Sequence, residues 1–433
     1  MEKVISGILK KAEENHVDAS ISIGKEKVLS FEYNRDKLKG STEGNTSLLE
    51  IRLSKGKKYG FSTTTLVNNW ERCFDRALKI MRVSKPIKHD IILAEPKKLK
   101  PAEGIYSKTV AEMPVEKLFD KAEDAVAEAK SVKKEILVIS GKFSREEEET
   151  LFANSNGVTA ADKSTTLSGS IECGLGTAVG LDGKSSHSDI NFIKTGKSAG
   201  QMCIDCLNPK PIKTMRTGLI LDYFAASDLI NAALVPAVLS ENVQNKRSYL
   251  SGKLGRKVFA DSITIYDDGL LAKGLNSGRI DGEGSPSQRT EIISKGVLKN
   301  YLYDLYSAKI DKKKTTGNSS SIAKVPSVGV SNFVMKPGRY SREEIIRETK
   351  NGILAEFLMG THFVNSVTGD ASVGVSNAFY VEDGEIKHPI KQAMISLNIF
   401  DALKKIEIIG NNMRQESDVV CPTIKLEGVQ IVA

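Results

Sequence analysis

The chain has 433 residues, 40% hydrophobic and 27% charged, more than one hydrophobic core usually serves, so two or three globular domains are expected and disorder is not. A net charge of +8 is spread along the sequence with only short clusters such as Lys312 to Lys314 and no interleaved aromatics, which argues against nucleic acid as a partner. No stretch approaches the roughly 20 apolar residues of a membrane span, the start is amphipathic rather than a secretory leader, and five cysteines offer no paired framework, so a cytoplasmic protein with no membrane partner is expected.

Val4, Ile5, Ile8, Leu9 and Ala12 form a helical stripe that leaves Lys3, Glu13 and Glu14 for solvent. Alternation follows: Ile21 and Ile23 lead to Phe31 and Tyr33, and Leu49, Ile51 and Leu53 oppose Glu50 and Arg52, the pattern of antiparallel strands. Lys55 to Lys58 has turn chemistry before a short strand at Tyr59 to Ser62. A second helix carries Trp70, Cys73, Phe74, Ala77, Leu78 and Met81 on one face, where Cys73 reads as packing.

Pro86 to Pro101 has no sustained period and reads as a linker or boundary loop. Beyond it, Val115, Leu118, Phe119, Ala122, Ala125, Val126 and Ala129 predict another amphipathic helix, Ile136 to Ser140 a short strand, and Glu146 to Glu149 a solvated turn. The same order of helix, strands and turn-rich strand pair occurs twice, which permits an ancient duplication. After Leu207 the texture turns to Gly, Asp, Asn and short apolar strands, with helices expected at Ser227 to Ser248, broken by Pro236, and at Ser341 to Lys350. The expected class is α+β: segments 1–90 and 91–212 with antiparallel strands and flanking helices, then a larger Gly-rich, β-dominated domain over 213–433 with a curved sheet.

The five histidines show no i, i+4 pair, so a conventional zincin motif is absent. Cys203 and Cys206 supply only half of a tetrahedral zinc site. The loop from Asp281 to Thr290 gathers Asp281, Glu283 and Arg289 among glycines, which suits ligand contact and equally a tight loop with a surface salt bridge. Gly360 to Ser376 sets small residues around Thr361, His362, Asn365, Gly369 and Asp370, and suits capture of an extended chain at a sheet edge or glycines in a crowded sheet.

Several ordered blocks of the C-terminal half resemble the TldD/PmbA family. They include Ser-Tyr-Leu-Ser-Gly-Lys-Leu-Gly at 248–255, Asp-Gly-Glu-Gly-Ser-Pro-Ser-Gln-Arg-Thr at 281–290, Thr-Gly-Asn at 316–318, Met-Gly-Thr-His-Phe-Val-Asn-Ser-Val-Thr-Gly-Asp at 359–370, and Pro-Thr-Ile-Lys-Leu-Glu-Gly at 422–428. In that family two related chains are understood to pair as a proteolytic complex acting on unfolded or extended peptides. The metal-bearing chain carries His-Glu-x-x-x-His and a C-terminal Cys, and the partner chain, called TldE or PmbA, does not.

At the matching place this sequence reads Ser240-Glu241-Asn242-Val243-Gln244-Asn245, with poor zinc ligands at both histidine positions. The resemblance therefore implies a cofactor-free subunit with a vestigial Glu241, zinc in a TldD-like partner of a heterodimer, and Asp281, Glu283, Arg289, Gly360, Thr361, His362, Asn365, Gly369 and Asp370 as substrate contacts. Cys421 abuts the last strand and is not expected to be a ligand. The alternative is a peptide-binding or regulatory homodimer without proteolysis. Action on DNA topology, which an old family name of gyrase modulator suggests, has no support in the residues.

Overall fold

The structure is a computed structural model that describes residues 1–322 and 327–433. Its first half runs α1 (Glu2–Glu14), β1 (Asp18–Asn34), β2 (Lys37–Lys55), β3 (Lys58–Thr64), α2 (Trp70–Val83), a one-turn α3 (Lys108–Ala111), α4 (Val115–Val132), β4 (Leu137–Asn154), β5 (Thr159–Leu175), β6 (Ala178–Ser186) and α5 (Ile193–Asp205). The six strands form one antiparallel sheet in the order β3-β2-β1-β4-β5-β6. Segments 1–90 and 91–212 therefore contribute three strands each to a single sheet.

The side-chain period of two puts every helix on one face of that sheet. Ala19, Ile21, Ile23, Leu49, Ile51 and Leu53 bury against α1 and α2 at one end. Leu29, Phe31, Tyr33, Phe143 and Leu167, of the same parity, bury against α4 and α5 at the other. The repeated order seen in the sequence is a repeated structure, down to one contact. A Cβ on Gly60 of β3 would lie 2.0 Å from the Ala77 carbonyl oxygen of α2, and one on Gly180 of β6 would lie 2.0 Å from the Ala199 carbonyl oxygen of α5. In both halves only glycine lets the helix settle onto the outermost strand.

The structure corrects one expectation here. Glu146 to Glu149 is not a turn but the middle of the 18-residue β4, which also absorbs the short strand expected at Ile136 to Ser140. Four glutamates survive in a strand because Lys25 and Lys27 of β1 lie opposite Glu149 and Glu147, and Lys163 of β5 opposite Glu149. Glu147, 8% exposed, bridges Lys27 at 3.0 Å and Lys163 at 2.7 Å. The Pro-rich stretch is likewise fastened, through Ile87 N–H to the Lys57 carbonyl, Ile91 N–H to the Gly56 carbonyl and the Asn154 amide to the Ala94 carbonyl.

The second half is built on two sheets. Strands β8 (Ile265–Asp268), β9 (Arg289–Ser294), β10 (Val297–Leu298), β11 (Phe333–Met335), β17 (Arg414–Glu416) and β18 (Val419–Cys421) make one, in the order β10-β9-β8-β11-β18-β17. In the other, β7 (Met215–Leu221), β12 (Asn351–Met359), β13 (Asp370–Glu382), β15 (Ala393–Asn398) and β19 (Ile424–Val432) pair in a ring, β12-β7-β19-β15-β13 and back to β12. β14 (Glu385–Pro389) and β16 (Ile406–Ile409) attach to it. The fold is α+β with curved sheets.

Through this core passes a helical segment that is mostly apolar as far as Leu239: α6 (Tyr223–Leu229), a wide π turn (Ile230–Leu234), α7 (Val235–Val238) and, after a break at Leu239, the polar α8 (Ser240–Gln244). Pro236 has no N–H to donate to residue 232, and the π turn precedes it. Short helices α9 (Leu305–Ile310), α10 (Arg342–Arg347), closed by a Ser341–Glu344 capping box, and α11 (Ile399–Lys404) complete the domain.

Candidate functional site

The Ser240 to Asn245 positions lie on α8, just past the break. Ser240 is fully buried and its hydroxyl bonds Ser307 Oγ at 2.8 Å, while the Asn245 amide folds back onto the Glu241 carbonyl oxygen at 2.7 Å. Burial raises the half-buried Glu241 carboxyl above its ordinary value, against a hydrogen bond from the Val328 amide. Among the described residues, no group of three or more His, Cys, Asp and Glu is arranged to hold a metal ion. Cys421 is buried 3.2 Å from Ser227 Oγ, and burial pushes its thiol up to about 12. Cys203 packs against Gly180, and burial also raises the Cys203 and Cys206 thiols, to about 11 and about 12.

The loop that begins at Asp281 is a structural knot. Asp281 accepts from the amides of Glu283, Ser285 and Ser319, and Glu283 accepts from the Leu305 amide at 2.6 Å. Glu283, 2% exposed, faces Arg52, 1% exposed, at 3.9 Å, so this pair crosses from the C-terminal domain to β2. Glu283 is closed off from solvent, whereas Asp281 is half-buried beside a cavity with its carboxylate oxygens occupied by those amides. Burial, the charge of nearby Asp304 and, for Glu283, that of Asp281 lift both, Asp281 to about 7 and Glu283 well above its ordinary range. Gly284, at φ +88°, lies so close to Phe152 that a Cβ would sit 2.3 Å from its ring. Arg289 stands apart, its guanidinium 3.7 Å over the Tyr266 ring.

The second group of expected substrate contacts lies where β12 passes to β13. Gly360, at φ +82°, starts a turn through Thr361, His362 and Phe363. The Asn365 side chain accepts from the Val367 and Thr368 amides, and Asp370 accepts from Thr368 and Asn398. Gly369 makes room for Phe400, 2.4 Å from where its Cβ would be. His362 and Asp370 are exposed; β12 is paired with β7 only over Gly352 to Ala355, so its end at Phe357 to Met359, beside this turn, pairs with β13 alone.

What the sequence did not point to is the junction of the two halves. Arg414 of β17 donates to Asp182 of β6 at 2.9 Å and to the Gly183 carbonyl, to Tyr223 Oη at 2.9 Å and to Glu416 at 2.7 Å, with its plane over Tyr223 and Phe224. His187, 2% exposed, sets one ring nitrogen 2.7 Å from the Thr165 carbonyl and the other 3.0 Å from the Gly274 carbonyl. Beside them, Asp222 receives Arg342 at 2.7 Å, and Arg342 also holds Glu356 at 2.8 Å. Between β5, β6 and the strand at Arg414 opens a cleft of about 840 Å³. Its residues come from six stretches of chain, so no local motif could announce it.

Comparison with known proteins assigns the chain to a family. Descriptions of the PmbA/TldA metallopeptidase domains match it in order: domain 1 over residues 19–81, the central domain over 108–207 and the C-terminal domain over 214–433. An uncharacterized protein of Methanocaldococcus jannaschii is 31% identical over 381 residues, 87% of this chain and 88% of that one. The chain belongs to the PmbA/TldD family.

Metalloprotease PmbA of Escherichia coli O157:H7 is 30% identical over 236 residues, 54% of this chain and 50% of that protein, so the alignment spans about half of either. Among solved structures, TldE from Thermococcus kodakarensis superposes with a TM-score of 0.93 at 23% identity, covering 99% of this chain and all of that one. A Thermotoga maritima protein described as a candidate modulator of a DNA gyrase gives 0.91 at 25% identity with both chains fully covered. The PmbA/TldD fold thus extends over the whole chain, and the described residues hold no helix long and apolar enough to cross a membrane.

Proposed function

We propose that this chain is the non-metal, TldE-like subunit of a two-chain peptidase, pairing with a TldD-like chain that carries zinc and acting on unfolded peptides. The observation that carries the reading is the state of the motif positions: Ser240 is buried on Ser307, and Asn245 is turned back on its own helix. Glu241 remains, but a carboxylate base needs an acidified, metal-bound water to act in this chemistry, and α8 offers no histidine to hold one. The family membership and the metalloprotease names of several relatives support the setting.

The test is co-purification of the tagged chain from its native lysate, followed by metal analysis and peptide digestion of what elutes. A zinc-containing second chain with peptidase activity is the expected result. Stoichiometric zinc and peptide cleavage in this chain alone would overturn it, and a lone, metal-free, inactive homodimer would favour the peptide-binding alternative.

A further inference from the structure

We infer that the junction cleft is a binding site for acidic stretches of polypeptide, an inference that rests on the reading of this chain as one that handles peptides. At about 840 Å³ the cleft is of the size that takes ligands. Lys142 of β4, Lys184 of β6, Lys194 of α5 and Lys273 of the C-terminal domain all line it. None of the four makes an ion pair or side-chain hydrogen bond among the described residues. Four ammonium groups from four separate elements, gathered around one concavity without partners, make a positive field that is focused rather than dispersed.

The carboxylates in the same wall weaken that field without reversing it, three of them against the four lysines and Arg414. Asp182 and Glu416 are both engaged by Arg414, and Glu146 accepts from the Ser144 hydroxyl. Ser144, Ser168 and Ser170 form part of the lining and can donate or accept along a peptide backbone.

Two features decide between kinds of anion. No aromatic side chain lines the cleft among the described residues, so bases would find nothing to stack on, and three carboxylates in the wall oppose a continuous polyphosphate. A polypeptide needs no stacking platform, and its spaced acidic side chains can lie beside the lysines and away from the three carboxylates, which a charge on every unit cannot do. Nor is the ligand expected to extend the sheet. The outer edge of β6 is already capped by side chains, Asn377 on the Val179 carbonyl, Met202 sulfur on the Leu181 amide and Arg414 on the Gly183 carbonyl. Recognition is by side-chain charge.

Fluorescence anisotropy on the purified full chain tests this with three probes: a short labelled Glu-rich peptide, the same peptide with Gln for Glu, and a short oligothymidylate. The Glu peptide is expected to bind roughly tenfold more tightly than its Gln counterpart at low salt, the sum of several modest surface pairs, and the gap should close as salt rises. Replacing the four lysines (Lys142→Gln, Lys184→Gln, Lys194→Gln, Lys273→Gln) should abolish the preference, whereas a charge-matched control at exposed Lys98, Lys312, Lys313 and Lys314 should keep it.

Equal binding of the two peptides overturns the inference. So does tighter binding of the oligothymidylate, or an equal loss in the control. Equal peptide binding by a chain that nonetheless recovers a zinc-bearing partner sinks the cleft and leaves the subunit role. Acidic preference without any such partner does the reverse.

Discussion

The two ends of the six-stranded sheet share one design on their helical face and part company on the other. Over α1 and α2 the opposite face carries Ser20, Arg52, Ser54 and Phe152, and the loop from Arg279 to Ser285 closes down on it, with Glu283 against Arg52 and Gly284 against Phe152. Over α4 and α5 the same face carries Lys142, Ser144, Ser168 and Ser170, and the C-terminal domain touches it through Arg414 and Gly274 while leaving the cleft. A repeated unit supplies two equivalent surfaces; here one fixes the second domain in place and the other faces open space. The lesson is that repetition conserves the packing face, where volume is unforgiving, and frees the other.

The sharpest way to break this comparison is at the sealed end. Glu283→Ala takes from buried Arg52 its strongest counter-charge, leaving only Asp304 and Asp281 nearby, and the Arg52 Nε and Nη1 already lack hydrogen-bond partners among the described residues. A loss of about 3–5 kcal/mol in urea unfolding is expected, and the double change Arg52→Met with Glu283→Leu should recover most of it. A small loss in the single variant would mean that the two halves are not held by this pair.

Matched effects should appear on the helical face. Gly60→Ala and Gly180→Ala each force a methyl group against a helix carbonyl, and each is expected to cost about 1–3 kcal/mol. Clearly unequal losses would weaken the equivalence of the repeats.

The buried acids predict the pH response. Glu416 at the open end and Asp281 at the sealed end are both raised to about 7, chiefly by burial. Each therefore binds its proton more tightly in the folded chain than in the unfolded one. The stability they contribute is complete below about pH 4 and is lost as pH rises through about 7. The urea midpoint should accordingly fall between those limits, and Glu416→Gln should flatten part of the slope, on the order of 1 kcal/mol at pH 8, since the group is partly screened by the cleft. A slope unchanged in that variant would remove Glu416 from the account.

At the small end, Lys142→Gln and Lys184→Gln should shift stability by less than about 0.5 kcal/mol, because exposed, unpaired side chains hold nothing together. A large loss would show that the open end is also structural.

Much of this was legible beforehand. The stripes at Val4 to Ala12 and Trp70 to Met81, the alternation from Ile21 to Leu53 and the repeated order of elements are local signals, and they survive because each is a face that must be buried. Glu146 to Glu149 misleads because a run of like charge is read as solvated when the lysines opposite it are far away in sequence. Asp281 and Glu283 looked like a ligand loop because Gly-rich acidic segments serve equally well to receive backbone amides, and only burial distinguishes the two uses.

What the sequence determined by itself is therefore the set of elements, the α+β class and, through its ordered blocks, the family, since these depend on neighbours a few residues apart or on the order of short blocks along the chain. What only the tertiary structure decided is the pairing of distant residues: Arg52 with Glu283, Arg414 with Asp182, and the four lysines around one cleft. The physical reason is that charge recognition and burial act through space across strands widely separated along the chain, and carry no period that a linear reading can detect.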